Sequence, residues 1–447
     1  MKTLKDFSQE LFTNLANKPT VKNVYHSMSL ILKSGSCCMY SSAADINIYE
    51  KIERTLSRAN KMSTIEPKLI NKALINKAVE KFNDEPELYL IHDPSDIRKP
   101  YSKKAENIGK VRSLDSKIIN GYSTHNIIAI TPNGKKLSLV SNTTYSNKDD
   151  NFLSQEHIKM IMDGIKFNGD NQATNLYKTG NYFNKKSLSK LEIERVSGEF
   201  KKQIPNIAIT HILDREFDDN DYIDLICSLG DNFVIRSKKS RCDTEEKIDN
   251  KKVRLIDEDF DKSYDIKVQK ICIKKKCVQD GIIRIQWSKR DKYTAVKITI
   301  LDRNNNNVFD DPMLILTNKE IVDGNDVYQI YRDYLQRSKI EYVFKFLKDG
   351  LGWEDMQMQS FKAIENTISI CFYVAAYLYE IGDKDAHDDY SVVLAELGDG
   401  KGKVTRHYIL KGIQALMIYH KVKLIKSWDK QTSNVIETLG EDMEIDI

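Results

Sequence analysis

Asp93, Asp214 and Glu341 lie far apart in the chain, yet each stands where an ordered element would aim it at a ligand. ELYLIHDPSD (87–96) reads as a short buried strand from Leu88 to Ile91 that runs into Asp93 and is stopped by Pro94. NIAITHILDREFD (206–218) reads as a second strand, Ile207 to Leu213, ending at Asp214. In α/β sheets ligands gather beyond the carboxyl ends of strands, so the two carboxylates can point into one crevice. Glu341 supplies the third. Hard oxygen donors with no matching set of His or Cys suit Mg²⁺, with Mn²⁺ as a substitute, rather than zinc; two such ions can activate a nucleophile and stabilise a leaving oxygen in phosphoryl transfer. Asp96 competes with Asp93, which is preferred because it follows the strand directly. His92 and His211 each neighbour a proposed ligand and are read as residues of the sheet.

Glu341 must be presented by the stretch YRDYLQRSKIEYVFKFLKDGLGWE (331–354), whose periodicity predicts one amphipathic helix. At 100° per residue, Tyr334, Arg337, Glu341 and Lys348 fall within an arc of roughly 60° and extend about 21 Å along the axis. Leu335, Ile340, Tyr342, Val343, Phe346 and Leu347 span roughly 160° on the other side, the face that docks on a core. A polar stripe alone is usually a solvated surface; the two strand-end carboxylates are what give this one partners.

With 447 residues the chain is long enough for two or three domains with substantial cores. The net charge of +4 hides an uneven distribution, because residues 236–293 hold 18 Lys and Arg against 11 Asp and Glu and the remainder is net acidic. Such a confined basic excess is the footprint a phosphate backbone selects, and equally that of a solvated face. The seven cysteines include no C-x2-C pair, which predicts a reducing compartment without a disulfide framework or zinc site. No basic-then-apolar leader follows Met1, and the longest apolar run, 370–379, is about half a bilayer crossing. A soluble, cytoplasmic protein with no membrane partner is expected.

The spacing Tyr334-x2-Arg337-x3-Glu341-x6-Lys348 resembles the Y-R-E-K signature of DDE transposases of insertion sequence family four. Other blocks look like that family's in its order: HDPSDIRKPYSKK (92–104), HILDREFDD (211–219) followed by FVIRSK (233–238), and PMLILTN (312–318). The resemblance, over roughly 90–380, implies an α/β, ribonuclease-H-like catalytic domain interrupted by a β-rich insertion between the second Asp and the Glu. It implies Asp93, Asp214 and Glu341 as catalytic residues binding two Mg²⁺ ions. It also implies nicking of transposon ends, hairpin formation, hairpin opening and joining to target, all at one active site. The partners implied are double-stranded DNA, as terminal inverted repeats and as target, and a second copy in a homodimeric synaptic complex. Tyr334, Arg337 and Lys348 would hold nearby phosphates. Related transposases stack a flipped base on a Trp in the strand matching PMLILTN. This chain has Met313 there, so Met313, Trp287 or another aromatic takes that role, or Trp287 simply faces the core. A ribonuclease-H-like nuclease that cuts without joining stays open, as does a DNA-binding derivative with inactive chemistry, against which the three retained acids speak.

In chain order, an N-terminal domain over 1–84 reads as helices at 4–15, 21–32, 46–56 and 65–82. Lys51, Arg54, Arg58 and Lys61 make a basic ridge, either a solvated face or, as the resemblance implies, the surface that recognises DNA ends. The catalytic domain is expected over 85–237 and 321–383. Within it, the loop 97–112 carries Lys99 among cations suited to phosphate, and Arg236 and Lys238 close the FVIRSK block as further DNA contacts. HNIIAITPNGKKLSLV (125–140) reads as a hairpin turning at Asn133-Gly134, and a helix at 186–203 leads into the Asp214 strand. Asp219 or Asn220 caps the next helix. Asp214 and Glu341 are 127 positions apart, so a β-strand insertion domain is expected at 238–320, from near-alternating 266–273, 283–287 and 296–300 and the turn signal RNNNN. C-terminal helices over 384–436 and a disordered acidic tail, 437–447, complete the expectation.

Overall fold

The computed structural model describes residues 3–15, 17–43, 46–58, 65–113, 115–164, 170–242, 247–248, 251–273, 276–383 and 389–428. Lys61 of the basic ridge and the acidic tail lie outside them. The chain divides into two compact units: Met1–Ala73 with Ile97–Ile108 and Phe344–Ile447, and Leu74–Asp96 with Gly109–Val343.

The chain opens with α1 (Leu4–Phe7), α2 (Gln9–Thr13), α3 (Lys18–Ser34), α4 (Met39–Ser42), α5 (Ile46–Ser57) and α6 (Pro67–Phe82). Local chemistry starts and stops them. Thr3 and Asp6 cap α1 reciprocally, Asn17 accepts from the Thr20 N–H ahead of α3, and Gly35 ends α3 at a φ of 62°. Then come β1 (Glu87–Arg98), β2 (Gly109–Arg112), β3 (Ile118–Ile130), β4 (Leu137–Tyr145), α7 (Gln155–Met162), α8 (Asp170–Thr179), α9 (Lys185–Gln203), β5 (Ala208–Leu213), α10 (Asn220–Ser228) and β6 (Asn232–Arg236). The short ribbon β7 (Lys247–Ile248) and β8 (Lys251–Lys252) precedes β9 (Lys262–Ile273), β10 (Lys276–Lys289), β11 (Thr294–Leu301) and β12 (Met313–Thr317). Helices α11 (Gly324–Leu335), α12 (Ser338–Lys345), α13 (Phe361–Ile381), α14 (Asp389–Leu397) and α15 (Arg406–Trp428) follow.

In the first unit α13 is covered almost all round, packing with α3, α5 and α15. The Phe7 ring lies 5.1 Å from that of Tyr373, whose hydroxyl donates to the Phe7 carbonyl at 3.1 Å. Asn366 donates through Nδ2 to the Leu56 carbonyl at 2.7 Å, while its buried Oδ1 has no partner among the described residues. Among the described residues no helix is long and apolar enough to cross a membrane.

The second unit is built on one ten-stranded sheet in the order β2-β3-β1-β5-β6-β12-β11-β10-β9, with β4 paired to β3. β1, β5 and β6 are parallel, and β3 and β4 form an antiparallel hairpin. Its turn uses Gly134 at a φ of 67°, a conformation that disfavours a side chain. This is the mixed α/β arrangement expected of a ribonuclease-H-like domain. The strands of the 238–320 segment continue the same sheet beyond β6, through β12, β11, β10 and β9. Residues of α6 and α9 cluster with Leu88, Leu90, Ile127, Ala129 and Ile209, and residues of α10 with Leu213, Phe233, Ile235 and Leu316. Side chains alternate along a strand, so those helices cover one face of the sheet, and Tyr89, Ile91 and Asp93 turn to the other.

Several local expectations need correcting. β1 runs through Pro94 to Arg98, because Pro94 lies beyond the last β1–β5 pair, Ile91↔Ile212, where its missing N–H breaks no bond to β5. The stretch 331–354 is not one helix. Ser338 Oγ donates to the Leu335 carbonyl at 3.0 Å, and the main chain around it bonds three residues back, as in Arg337 N to Tyr334 O and Ile340 N to Arg337 O. The break turns Tyr334 inward and leaves Leu335 and Tyr342, expected in the core, 44% and 68% exposed. Cys277 is disulfide-bonded, contrary to the expected free thiols. The β10–β9 register sets Cys272 directly across from it, where facing Cα atoms are about 4.5–5.5 Å apart and within disulfide range.

Candidate active site

β1, the end of β5 and α12 bring the three sequence-distant carboxylates to a single side chain. Asp93 stands in β1, two residues past its last pair with β5. Asp214 follows β5 in extended conformation, φ −88° and ψ 178°, so it keeps the alternation of the strand and faces the same side as Ile212. Arg337 sits in the joint between α11 and α12. Asp323 starts α11 by accepting from the Asn325 and Asp326 N–H groups, and Glu341 lies on α12.

Arg337 Nη1 donates to Asp93 Oδ2 at 3.0 Å, and Nη2 reaches Glu341 Oε1 at 3.1 Å and Asp214 Oδ2 at 3.5 Å. The Tyr334 hydroxyl donates to the remaining Asp214 oxygen, Oδ1, at 3.3 Å. Arg337 and Asp93 are each 16% exposed and Asp214 21%, whereas Glu341 is 61% exposed. Burial pushes Asp93 up to about 7; Arg337 opposes the rise, and Asp214 and Glu341 add to it. Burial works against the charge on Arg337, but Asp93 and Asp214 outweigh it and hold the guanidinium above its ordinary value. Burial, with the Asp214 charge, raises the Tyr334 hydroxyl, against Arg236 and Arg337.

Three carboxylates around one guanidinium are a surplus of negative charge made entirely of hard oxygen donors, which is the donor chemistry of Mg²⁺ or Mn²⁺. Among the described residues no group of three His, Cys, Asp or Glu side chains is placed to hold an ion. What gathers Asp93, Asp214 and Glu341 is Arg337. Asp96 is engaged elsewhere, accepting from Ser123 Oγ at 3.0 Å and from the Arg112 N–H.

The other candidates are dispersed. Arg236 ends β6, near enough for its charge to act on Tyr334. Lys238 donates through its main-chain N–H to Asp218 Oδ2 at 2.6 Å and through Nζ to the Asp218 carbonyl at 3.0 Å. Met313, half-buried, opens β12 opposite Ile298. Trp287 is buried in β10, with Lys262 Nζ 6.0 Å from its ring centroid. In the first unit, the Lys348 ammonium lies 3.4 Å from Glu354, which also takes a bidentate contact from Arg98. Lys99, expected on a surface loop facing phosphate, turns its Nζ to the carbonyls of Glu354 and Met356, and burial lowers it to about 8. Arg54 and Arg58 are exposed, Arg54 pairing with Glu50 at 2.6 Å.

On the opposite face of the same strands lies a feature that sequence reasoning missed. Three buried imidazoles form a chain: His125 Nε2 to His92 Nδ1 at 3.4 Å, then His92 Nε2 to His211 Nδ1 at 2.9 Å. Ser189 Oγ lies 3.2 Å from His125 Nδ1 at one end, and Asp231 Oδ2 lies 3.0 Å from His211 Nε2 at the other. Asp231 accepts, so His211 carries its proton on Nε2. With Nδ1 of His211 as acceptor, the protons of His92 and His125 fall on Nε2 and Ser189 donates to His125, so both nitrogens of every ring are satisfied. Burial lowers His92 well below the usual histidine range and His125 to about 4. The legible signal was His92 immediately ahead of Asp93 and His211 three residues ahead of Asp214; His125 and Asp231 become partners only through the fold.

Residues 199–378 match the family model described as transposase DDE domain, a span that takes in Asp214, Tyr334, Arg337 and Glu341 but not Asp93. The match supports a DDE transposase. No curated protein matches the chain.

Proposed function

We propose that the protein is a cut-and-paste DNA transposase in which Asp93, Asp214 and Glu341 carry the chemistry. The observation that supports this most is the convergence of three carboxylates from β1, the end of β5 and α12 on Arg337, each within 3.5 Å of the same guanidinium. The three side chains would hold two Mg²⁺ ions, which when bound lower the pKa of an attacking water or 3′-hydroxyl and stabilise the departing oxygen. Tyr334 fixes the orientation of Asp214 through the hydrogen bond to Oδ1. Glu341 is the most exposed of the three, which supports substrate entering from its side. Arg337, Lys348 and Arg236 offer charge to DNA phosphates. The ridge of Lys51 and Arg54 on α5 with Arg58 just past its end, all three exposed, is the proposed surface for terminal repeats.

The reaction course proposed is nick, hairpin, hairpin opening and strand transfer, carried out by a homodimer that bridges two ends. Purified protein, a duplex carrying the element's own terminal repeat, a supercoiled target and Mg²⁺ test it directly. Hairpin ends and joined products on a denaturing gel are the expected result; cutting without joining would make the protein a nuclease instead.

A further inference from the structure

Arg337 spends two nitrogens on three carboxylates from three elements, and among the described residues no other cation pairs with any of them. The oxygens it takes, Asp93 Oδ2, Asp214 Oδ2 and Glu341 Oε1, belong to the same donors a divalent ion needs, and a guanidinium and an ion cannot share them at contact distance. Asp93 and Asp214 are largely buried, so water screens their mutual repulsion poorly and a resident cation is worth more there than at the surface.

We propose that Arg337 is the counter-ion of the metal-free carboxylate cluster, and that divalent metal displaces it and so releases its guanidinium for a DNA phosphate. The inference rests on the reading of Asp93, Asp214 and Glu341 as metal ligands. Two details favour an exchange over a fixed pair. Asp214 keeps a second anchor in Tyr334 OH, so it stays aimed when the guanidinium leaves. Arg337 also has a planar fork suited equally to carboxylate and phosphate, a match that Lys lacks. Once the ions are bound, local charge turns from surplus negative to positive, and the guanidinium is repelled from the site it held. Metal and DNA then favour each other's binding, because either one removes what competes with the other.

The test is calorimetric titration of Mn²⁺ into the full chain without DNA, for wild type, Arg337→Met and Arg337→Lys. Arg337→Met should bind Mn²⁺ about tenfold more tightly, within the usual range of coupling between competing ligands, while its metal-free melting temperature falls. Arg337→Lys, which keeps the charge, should stay near wild type in both. Should Arg337→Met fail to fold, the wild type still answers: its Arg337 Nε–H resonance, assigned with Arg337→Lys, should shift as Mg²⁺ is added. Equal or weaker Mn²⁺ binding by Arg337→Met, or a resonance that Mg²⁺ does not move at saturation, overturns the exchange and leaves the metal site standing. No Mn²⁺ binding by wild type or either variant overturns the metal-site reading beneath it.

Discussion

One face of β1 and β5 carries a closed chain of imidazoles, and the other carries three carboxylates held by one guanidinium. His92 and Asp93 are consecutive, so the period of two along the strand alone sends them to opposite faces. The histidine chain ends in a seryl hydroxyl and an aspartate that accepts from Ser197 and pairs with Lys201, so its donors and acceptors are satisfied from within the protein. The carboxylate cluster is the reverse: it holds more negative charge than Arg337 balances, and its third member, Glu341, opens to solvent. A buried polar network that is complete specifies a core, whereas one left with surplus charge beside an opening is prepared for a ligand.

The largest effect expected on the open side is from Asp214→Asn. It should lower Mg²⁺-dependent DNA cleavage about 10³-fold, the rate equivalent of several kcal/mol of charge stabilisation, without loss of folding stability. On the closed side, His92→Leu should do the opposite. It leaves His125 Nε2 and His211 Nδ1 without their partners, at about 1–3 kcal/mol each, so urea unfolding should show a loss of about 2–4 kcal/mol while the folded fraction cleaves normally. If His92→Leu abolished cleavage at unchanged stability, the histidines would belong to the chemistry and the division between the faces would fail.

The two faces should also respond to pH with opposite sign. Asp93 has its folded pKa raised from 3.8 to about 7, so the stability it contributes is present below about pH 4 and lost as pH rises towards 7. His125 has its folded pKa lowered from 6.5 to about 4, so its contribution is present above pH 6.5 and lost as pH falls towards 4. Urea midpoints across this window should show Asp93→Asn gaining on wild type as pH rises, and His125→Gln gaining as pH falls; parallel curves would remove the contrast. The smallest effect is expected from Lys99→Met. Its ammonium already serves two main-chain carbonyls, so DNA affinity should change less than about twofold by filter binding, while stability drops.

Much of this was legible because it is local. The apolar runs ahead of Asp93 and Asp214 became β1 and β5, Asn133-Gly134 became the turn between β3 and β4, and Asp219 capped α10 by accepting from the Asp221 N–H. The alternating segments at 266–300 became β9, β10 and β11. What escaped depends on partners that periodicity does not encode. The 100° pattern runs unbroken through Gln336 and Arg337, yet Ser338 Oγ takes the Leu335 carbonyl and ends the helix there. That break is what lets Arg337, read as a phosphate-holding member of a polar stripe, reach Asp93 and Asp214 as well as Glu341. Lys99 read as a loop cation suited to phosphate, yet Glu354 and Met356, over 250 positions away, supply the carbonyls it meets. The facing pair Cys272 and Cys277 required a register that composition alone does not give.

Asp93, Asp214 and Glu341 are proposed to act as one metal-dependent site on DNA. Glu341→Gln tests it most directly, since this side chain is exposed enough for the change to spare the fold. On a duplex carrying the terminal repeat, wild type should cleave with Mg²⁺ and not with EDTA, and Glu341→Gln should bind the same DNA without cutting it. Cleavage by Glu341→Gln at the wild-type rate would contradict the account.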